Sequence, residues 1–123
     1  MQDRHNGYEA LLRDIFQEYR APIRSSIIEG DTEVSLQEAL NRALDTLPFT
    51  RGRNDSVRWR RIKYMIALHY GLERNRNQVP FWVIAQELRV KTDSVQNSVG
   101  DYRRKLRKSC QWLEKFFVQT SAQ

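Results

Sequence analysis

The chain has 123 residues, 40% of them hydrophobic and 11% aromatic, with a net charge of +6. That is enough for one compact domain with a core, and it excludes disorder as the default. No apolar run approaches the roughly 18–20 residues of a membrane span, and the start MQDRHNGYEA has no apolar signal core. One cysteine, Cys110, excludes an internal disulfide and fits a reducing, cytoplasmic setting. Two histidines and one cysteine give no metal-ligand cluster. There is no Gly-rich phosphate loop and no paired-carboxylate site, so no metal, cofactor or catalytic residue is expected, and the chain reads as a non-enzyme.

In chain order, Tyr8 to Ile28 reads as a helix, with Leu11, Leu12, Ile15, Phe16 and Tyr19 at helical spacing. Pro22 lies inside it and predicts a kink near Arg20–Ala21. Glu29-Gly30-Asp31 is a stop and turn. Ser35 then caps a second helix, with Glu38 completing a capping box. Leu36, Leu40, Ala43, Leu44 and Leu47 form its buried side, and Pro48 ends it. Residues 50–56, TRGRNDS, read as a linker.

Asp55 or Ser56 would cap a third helix, Val57 to Tyr70, with Trp59, Ile62, Met65, Ile66 and Leu68 as its apolar residues and Gly71 as its stop. Pro80, at an N1-like place, opens a short helix with Ile84, Ala85 and Leu88 on one face. Val90 sits in a tight turn, Thr92 and Asp93 bring cap chemistry, and Val95, Val99, Tyr102 and Leu106 repeat at helical spacing. Cys110, Leu113, Phe116 and Phe117 continue this stripe, so the last helix is expected to run from Thr92 to about Val118, roughly 40 Å at ~1.5 Å per residue. Strand-like alternation is missing. The expected fold is all-α: a helical bundle with a helix-turn-helix and a long C-terminal helix.

Charge divides the same way. Residues 1–50 hold 5 Lys/Arg against 9 Asp/Glu, −4, whereas 51–123 hold 16 against 6, +10. This separates an acidic N-terminal helical interaction or dimerisation region, 1–50, from a basic helix-turn-helix region with a C-terminal extension, 51–123. The basic part suits a polyanion. A second helix of a helix-turn-helix fits the major groove of double-stranded DNA. Its outward positions are Asp93, Asn97, Gly100 and Arg104, flanked by Ser94, Gln96 and Asp101. The candidate DNA-binding residues are therefore Lys91, Thr92, Asp93, Ser94, Gln96, Asn97, Arg103, Arg104, Arg107 and Lys108.

Each has a plainer counterpart. Gln96 and Asn97 suit adenine edges or are ordinary polar surface. Thr92 bonds a phosphate, caps its helix, or does both. Arg103, Arg104, Arg107 and Lys108 are a phosphate clamp or a solvated face. Arg58, Arg60, Arg61 and Lys63 add a second basic patch, for backbone contact or for solubility. Trp112, Phe116 and Phe117 pack on the N-terminal helices, form a dimer seam or bind a polymerase. Trp82 is a wedge against a partner or a supporting core residue, and the isolated His69 and Cys110 read as packing residues.

The run RRIKYMIALHYGL, a loop, then VIAQELRVKTDSVQNSVGDYRRKLRK resembles region 4 of bacterial sigma factors. The matching elements are Tyr70-Gly71-Leu72, Ile84-Ala85, Leu88, Val90, Val95 and Arg104-Lys105-Leu106-Arg107, within about residues 57–109. Where the family usually has a turn glycine, this chain has Arg89. Residues 1–50 do not resemble the promoter-melting region. The resemblance implies a stand-alone region-4-like transcription regulator that reads promoter-type DNA and contacts RNA polymerase, with a homodimer as a further option. Two other functions fit the same residues: a protein-interaction factor of the anti-sigma or polymerase-appropriating kind, and a phage DNA-packaging or replication adaptor.

Overall fold

A computed structural model describes residues 7–46, 53–72 and 77–118. Helix α1, Gly7–Ile15, forms where Tyr8, Leu11, Leu12 and Ile15 share one buried face. It stops thirteen residues short of the predicted end at Ile28. Arg13 donates to the carbonyls of Tyr19 (3.4 Å) and Ala21 (3.0 Å), which fastens the chain as it leaves the helix. Pro22 keeps the residue before it out of the helical region and lacks an N–H of its own. From there the backbone runs extended beside the C-terminal segment. Arg24 N–H donates to Phe116 C=O (2.7 Å), Val118 N–H donates to Pro22 C=O (2.8 Å), and Ile23 pairs with Phe117.

The next segment overturns the all-α expectation. Strands β1, Ser26–Glu29, and β2, Thr32–Ser35, form an antiparallel hairpin in the register Ser26↔Ser35, Ile27↔Val34, Ile28↔Glu33 and Glu29↔Thr32. The predicted turn is its two-residue tip. Gly30 takes φ +62°, as the first position of a type II′ turn requires. The fold is thus mostly helical with one small sheet.

Helix α2, Leu36–Thr46, starts at the predicted cap, where Ser35 Oγ accepts the Glu38 N–H at 3.0 Å. Leu36, Ala39, Leu40, Ala43 and Leu44 are buried along it. Leu47 and Pro48 lie outside the described residues. Helix α3, Arg53–Tyr70, begins inside the stretch expected to be a linker, so Asp55 and Ser56 lie within its first turn rather than ahead of it. The run Arg53-Asn54-Asp55-Ser56 is polar but contains no helix breaker, so polarity misplaced the boundary. Gly71 ends α3 as predicted, with φ +66° and the paired bonds Gly71 N–H to Leu68 C=O (3.3 Å) and Leu72 N–H to Ala67 C=O (2.9 Å).

Helices α4, Phe81–Leu88, and α5, Thr92–Ser109, follow, with Pro80 at the N-cap of α4, one place before N1. The single long C-terminal helix does not form. Cys110 leaves the helical region (φ −126°, ψ 51°), Gln111–Phe116 wind into a 3₁₀ turn, and Phe117 is extended. A straight helix would carry Phe116 and Phe117 away from the molecule. The break instead returns them to α1, where Phe117 meets the ring of Phe16 edge-on at 5.8 Å and that of Tyr19 at 4.9 Å. Leu113, Phe116 and Phe117 are all buried, within the same chain. They join one hydrophobic cluster that draws on α1 to α5 and the hairpin, so the acidic and basic halves share a core. No helix among the described residues is long and apolar enough to cross a membrane.

Candidate functional site

The candidate surface is built on α4, the turn at Arg89–Lys91 and α5. Ile84 and Ala85 hold α4 in the core. The turn closes with Arg89 N–H to Gln86 C=O (3.2 Å) and Val90 N–H to Ala85 C=O (3.0 Å), which puts Arg89 in the left-handed region at φ 61°, ψ 46°. A Cβ there costs about 1–2 kcal/mol, partly offset because glycine loses more backbone entropy on folding. Arg89→Gly is therefore expected to stabilise the fold by about 0.5–1 kcal/mol. A urea midpoint that falls in the variant would instead assign the exposed Arg89 side chain a structural contact.

Lys91 is the N-cap of α5, and its carbonyl accepts from Ser94 (3.0 Å) and Val95 (3.3 Å). Thr92 is then the first helical residue and not the cap, and Asp93 lies in the first turn. The predicted inner stripe holds: Val95, Val99, Tyr102 and Leu106 are buried. Tyr102 lies against Trp59, ring centroids 3.9 Å apart, and its hydroxyl has no hydrogen-bond partner among the described residues.

With that stripe inside, helical spacing sends Asp93, Asn97, Gly100, Arg104 and Lys108 to the opposite ridge. Lys91, Asp93, Ser94, Gln96, Asn97, Arg104 and Lys108 are exposed, and Thr92 is half-buried. Gly100 sits mid-helix on this ridge without the positive φ that would demand glycine, and a Cβ there would meet only the Arg104 guanidinium, at 3.9 Å. Arg104 pairs with Asp101 on the same exposed surface.

The four cations expected to clamp phosphate, Arg103, Arg104, Arg107 and Lys108, do not act alike. Arg103 turns inward. It donates to the Tyr70 hydroxyl at 2.7 Å, Tyr70 donates to Asp14 at 2.6 Å, and Arg103 lies 3.7 Å from the same carboxylate. Burial, with the hydrogen bond to Asp14, pushes the Tyr70 hydroxyl well above its ordinary pKa. Arg107 makes a two-pronged pair with Glu18, one bond of it 2.7 Å, and its guanidinium lies 5.0 Å from the Phe16 ring centroid. These two arginines brace α5 against the end of α1, and of the four, Arg104 and Lys108 stay exposed on the outer ridge. Sequence reasoning missed this because Asp14 and Glu18 lie 89 residues away along the chain from Arg103 and Arg107 respectively.

The Glu18 carboxyl is held down to about 2, first by the hydrogen bond from Arg107. A carboxyl depressed in the folded state contributes stability at pH above its ordinary value of 4.5, and that contribution fades as pH falls toward about 2. Glu18→Gln should accordingly flatten the stability profile between those two values and lower stability at neutral pH only modestly, since the pair is exposed. Thermal melts of both proteins across that range check this.

A second basic surface flanks the start of α5. Arg58, Arg60 and Arg61 are exposed on α3, while Lys63 pairs with Asp45. Val57, Arg58, Arg61, Met65, Val90 and Ser94 line much of an open cleft of about 510 Å³ between α3 and α5. Trp82 is 59% exposed, which corrects the supporting core role. His69 packs as expected, stacked on Phe81 with centroids 3.8 Å apart and bonded through Nδ1 to the Val79 carbonyl at 2.9 Å. Cys110 is buried as a free thiol, and burial raises its pKa. No protein-family model, no curated protein and no solved structure matches this chain.

Proposed function

We propose that the chain is a DNA-binding transcription regulator of the kind suggested by its resemblance to region 4 of bacterial sigma factors. In this reading α4, the turn and α5 form a helix-turn-helix, and α5 enters the major groove of promoter-type DNA. The observation that carries it is the outer ridge of α5. Short polar groups, Asp93, Ser94, Gln96 and Asn97, come first and the cations Arg104 and Lys108 come later, all exposed on a helix whose other face is buried. An α-helix about 10–12 Å across matches the width of the major groove.

The amides of Gln96 and Asn97 suit the paired donor and acceptor of an adenine edge. Lys91, Thr92, Arg104 and Lys108 face phosphates, and the α3 arginines extend that contact. Arg103 and Arg107 serve as positioning residues that set the angle of α5. RNA polymerase is the protein partner and the cytoplasm the compartment that this reading implies.

A duplex-binding assay with salt titration tests the reading. Affinity should fall with salt at a log–log slope of about −0.9 per neutralised phosphate, and Arg104→Ala with Lys108→Ala should make the slope shallower by roughly two such steps. Asn97→Ala should lower discrimination between a selected site and random DNA by about 1–3 kcal/mol. A chain that binds no duplex at low salt ends this reading. The interaction-factor alternative then takes its place, favoured by the exposure of Trp82 (59%) and Val57 (64%). A pull-down of purified RNA polymerase tests that directly.

A further inference from the structure

We infer that Gly100 is the point of closest approach between α5 and a phosphate of the duplex backbone. This rests on the DNA-binding reading above and adds a contact that the polar side chains alone do not identify. Glycine in a helix interior is costly, and nothing among the described residues around Gly100 requires it. The backbone is not at positive φ, and outside its own helix backbone the one described atom a Cβ would approach within 4 Å is the tip of Arg104, at 3.9 Å.

What glycine creates is a notch in the outer ridge, one turn after Asn97 and one turn before Arg104. The notch opens into a cleft of about 270 Å³ between α5 and the end of α1, with Arg103, Arg104 and Arg107 along it. Asp14 and Glu18, on the far wall, are already engaged by Arg103 and Arg107. Arg104 pairs with Asp101 at the exposed surface, and such a same-helix pair opens at little cost. A phosphodiester oxygen resting against the bare backbone of Gly100 would therefore take Arg104 from Asp101. A methyl group at this position would hold the phosphate away from both.

The test is Gly100→Ala and Gly100→Leu in the full chain, each measured for melting temperature and for affinity to the same duplex across salt. The alanine variant should melt higher by about 4 °C, because alanine is the better helix former and the space is open. It should bind the duplex about tenfold more weakly, a loss of the size of one good contact, and its salt slope should be shallower by about 0.9, one phosphate. The leucine variant should bind more weakly still. Inorganic phosphate alone should not compete at millimolar concentration if the site belongs to a duplex backbone, and competition there would overturn that assignment.

An alanine variant that is more stable yet binds as tightly as the parent overturns the proposal. So does one that melts lower, which would make the glycine a requirement of the fold. If Arg104→Ala and Lys108→Ala weaken binding while Gly100→Ala does not, only the notch is lost. If the parent binds no duplex, the notch and the DNA reading fall together.

Discussion

Ending the chain at Lys108 is expected to abolish cooperative folding of the whole protein. The removed segment contains Leu113, Phe116 and Phe117, each essentially inaccessible to water. Burying such side chains is worth roughly 1.5–3 kcal/mol apiece, about 5–9 kcal/mol together, which is comparable with the roughly 5–15 kcal/mol that holds a domain of this size. The loss does not stop there. Phe16 and Tyr19 would lose the ring they pack against, and the backbone of Pro22 and Arg24 would lose its partners in Phe116 and Val118. The Tyr19 hydroxyl would lose its 2.7 Å bond to Glu114. Circular dichroism during heating should show no sharp transition. A truncated protein that melts cooperatively at the parent temperature would mean that these residues are free of the core in solution.

Phe16→Ala is expected to cost about 3–5 kcal/mol, the range for removing a buried aromatic ring. Phe16 is fully buried where three structural ties meet. Its ring lies edge-on to Tyr19 at 5.3 Å and to Phe117 at 5.8 Å, and the Arg107 guanidinium covers it at 5.0 Å. Removing it opens a cavity between α1 and the C-terminal segment and takes away the surface under the Arg107–Glu18 pair. Because both rings share one contact, Phe16→Ala and Phe117→Ala should not add. A coupling of about 0.5–1.5 kcal/mol is expected from a double-mutant cycle in urea. Strict additivity would show that the edge-on contact contributes nothing beyond burial.

The junction between the C-terminal segment, Phe16 and Tyr19 is one that local sequence patterns describe poorly. The stripe Leu106, Cys110, Leu113 and Phe117 has helical spacing, so periodicity extends α5 past Ser109. Neither glycine nor proline marks the break at Cys110. What decides it is burial on the far side of the molecule: the two phenylalanines reach the core only if the chain turns back. The hairpin was missed for a related reason. Four-residue strands are too short for alternation to register, although Gly30-Asp31 between β-branched runs was a usable signal.

Features whose physics is local are legible in the chain alone. The inner stripe of α5, the Ser35 cap, the Gly71 stop and the turn at Gly30 follow from side chains within a few residues of one another, and each is found where expected. The concentration of positive charge after residue 50 is likewise a property of the chain. The fate of the predicted clamp cations, by contrast, depends on how the helices pack. That packing turns Arg103 toward Asp14 and Arg107 toward Glu18, leaves Arg104 and Lys108 on the outer ridge, and places Trp82 at the surface. The cause is distance along the chain. An ion pair or a shared core between residues some 90 positions apart depends on how the intervening helices pack, and no window of local periodicity contains both partners.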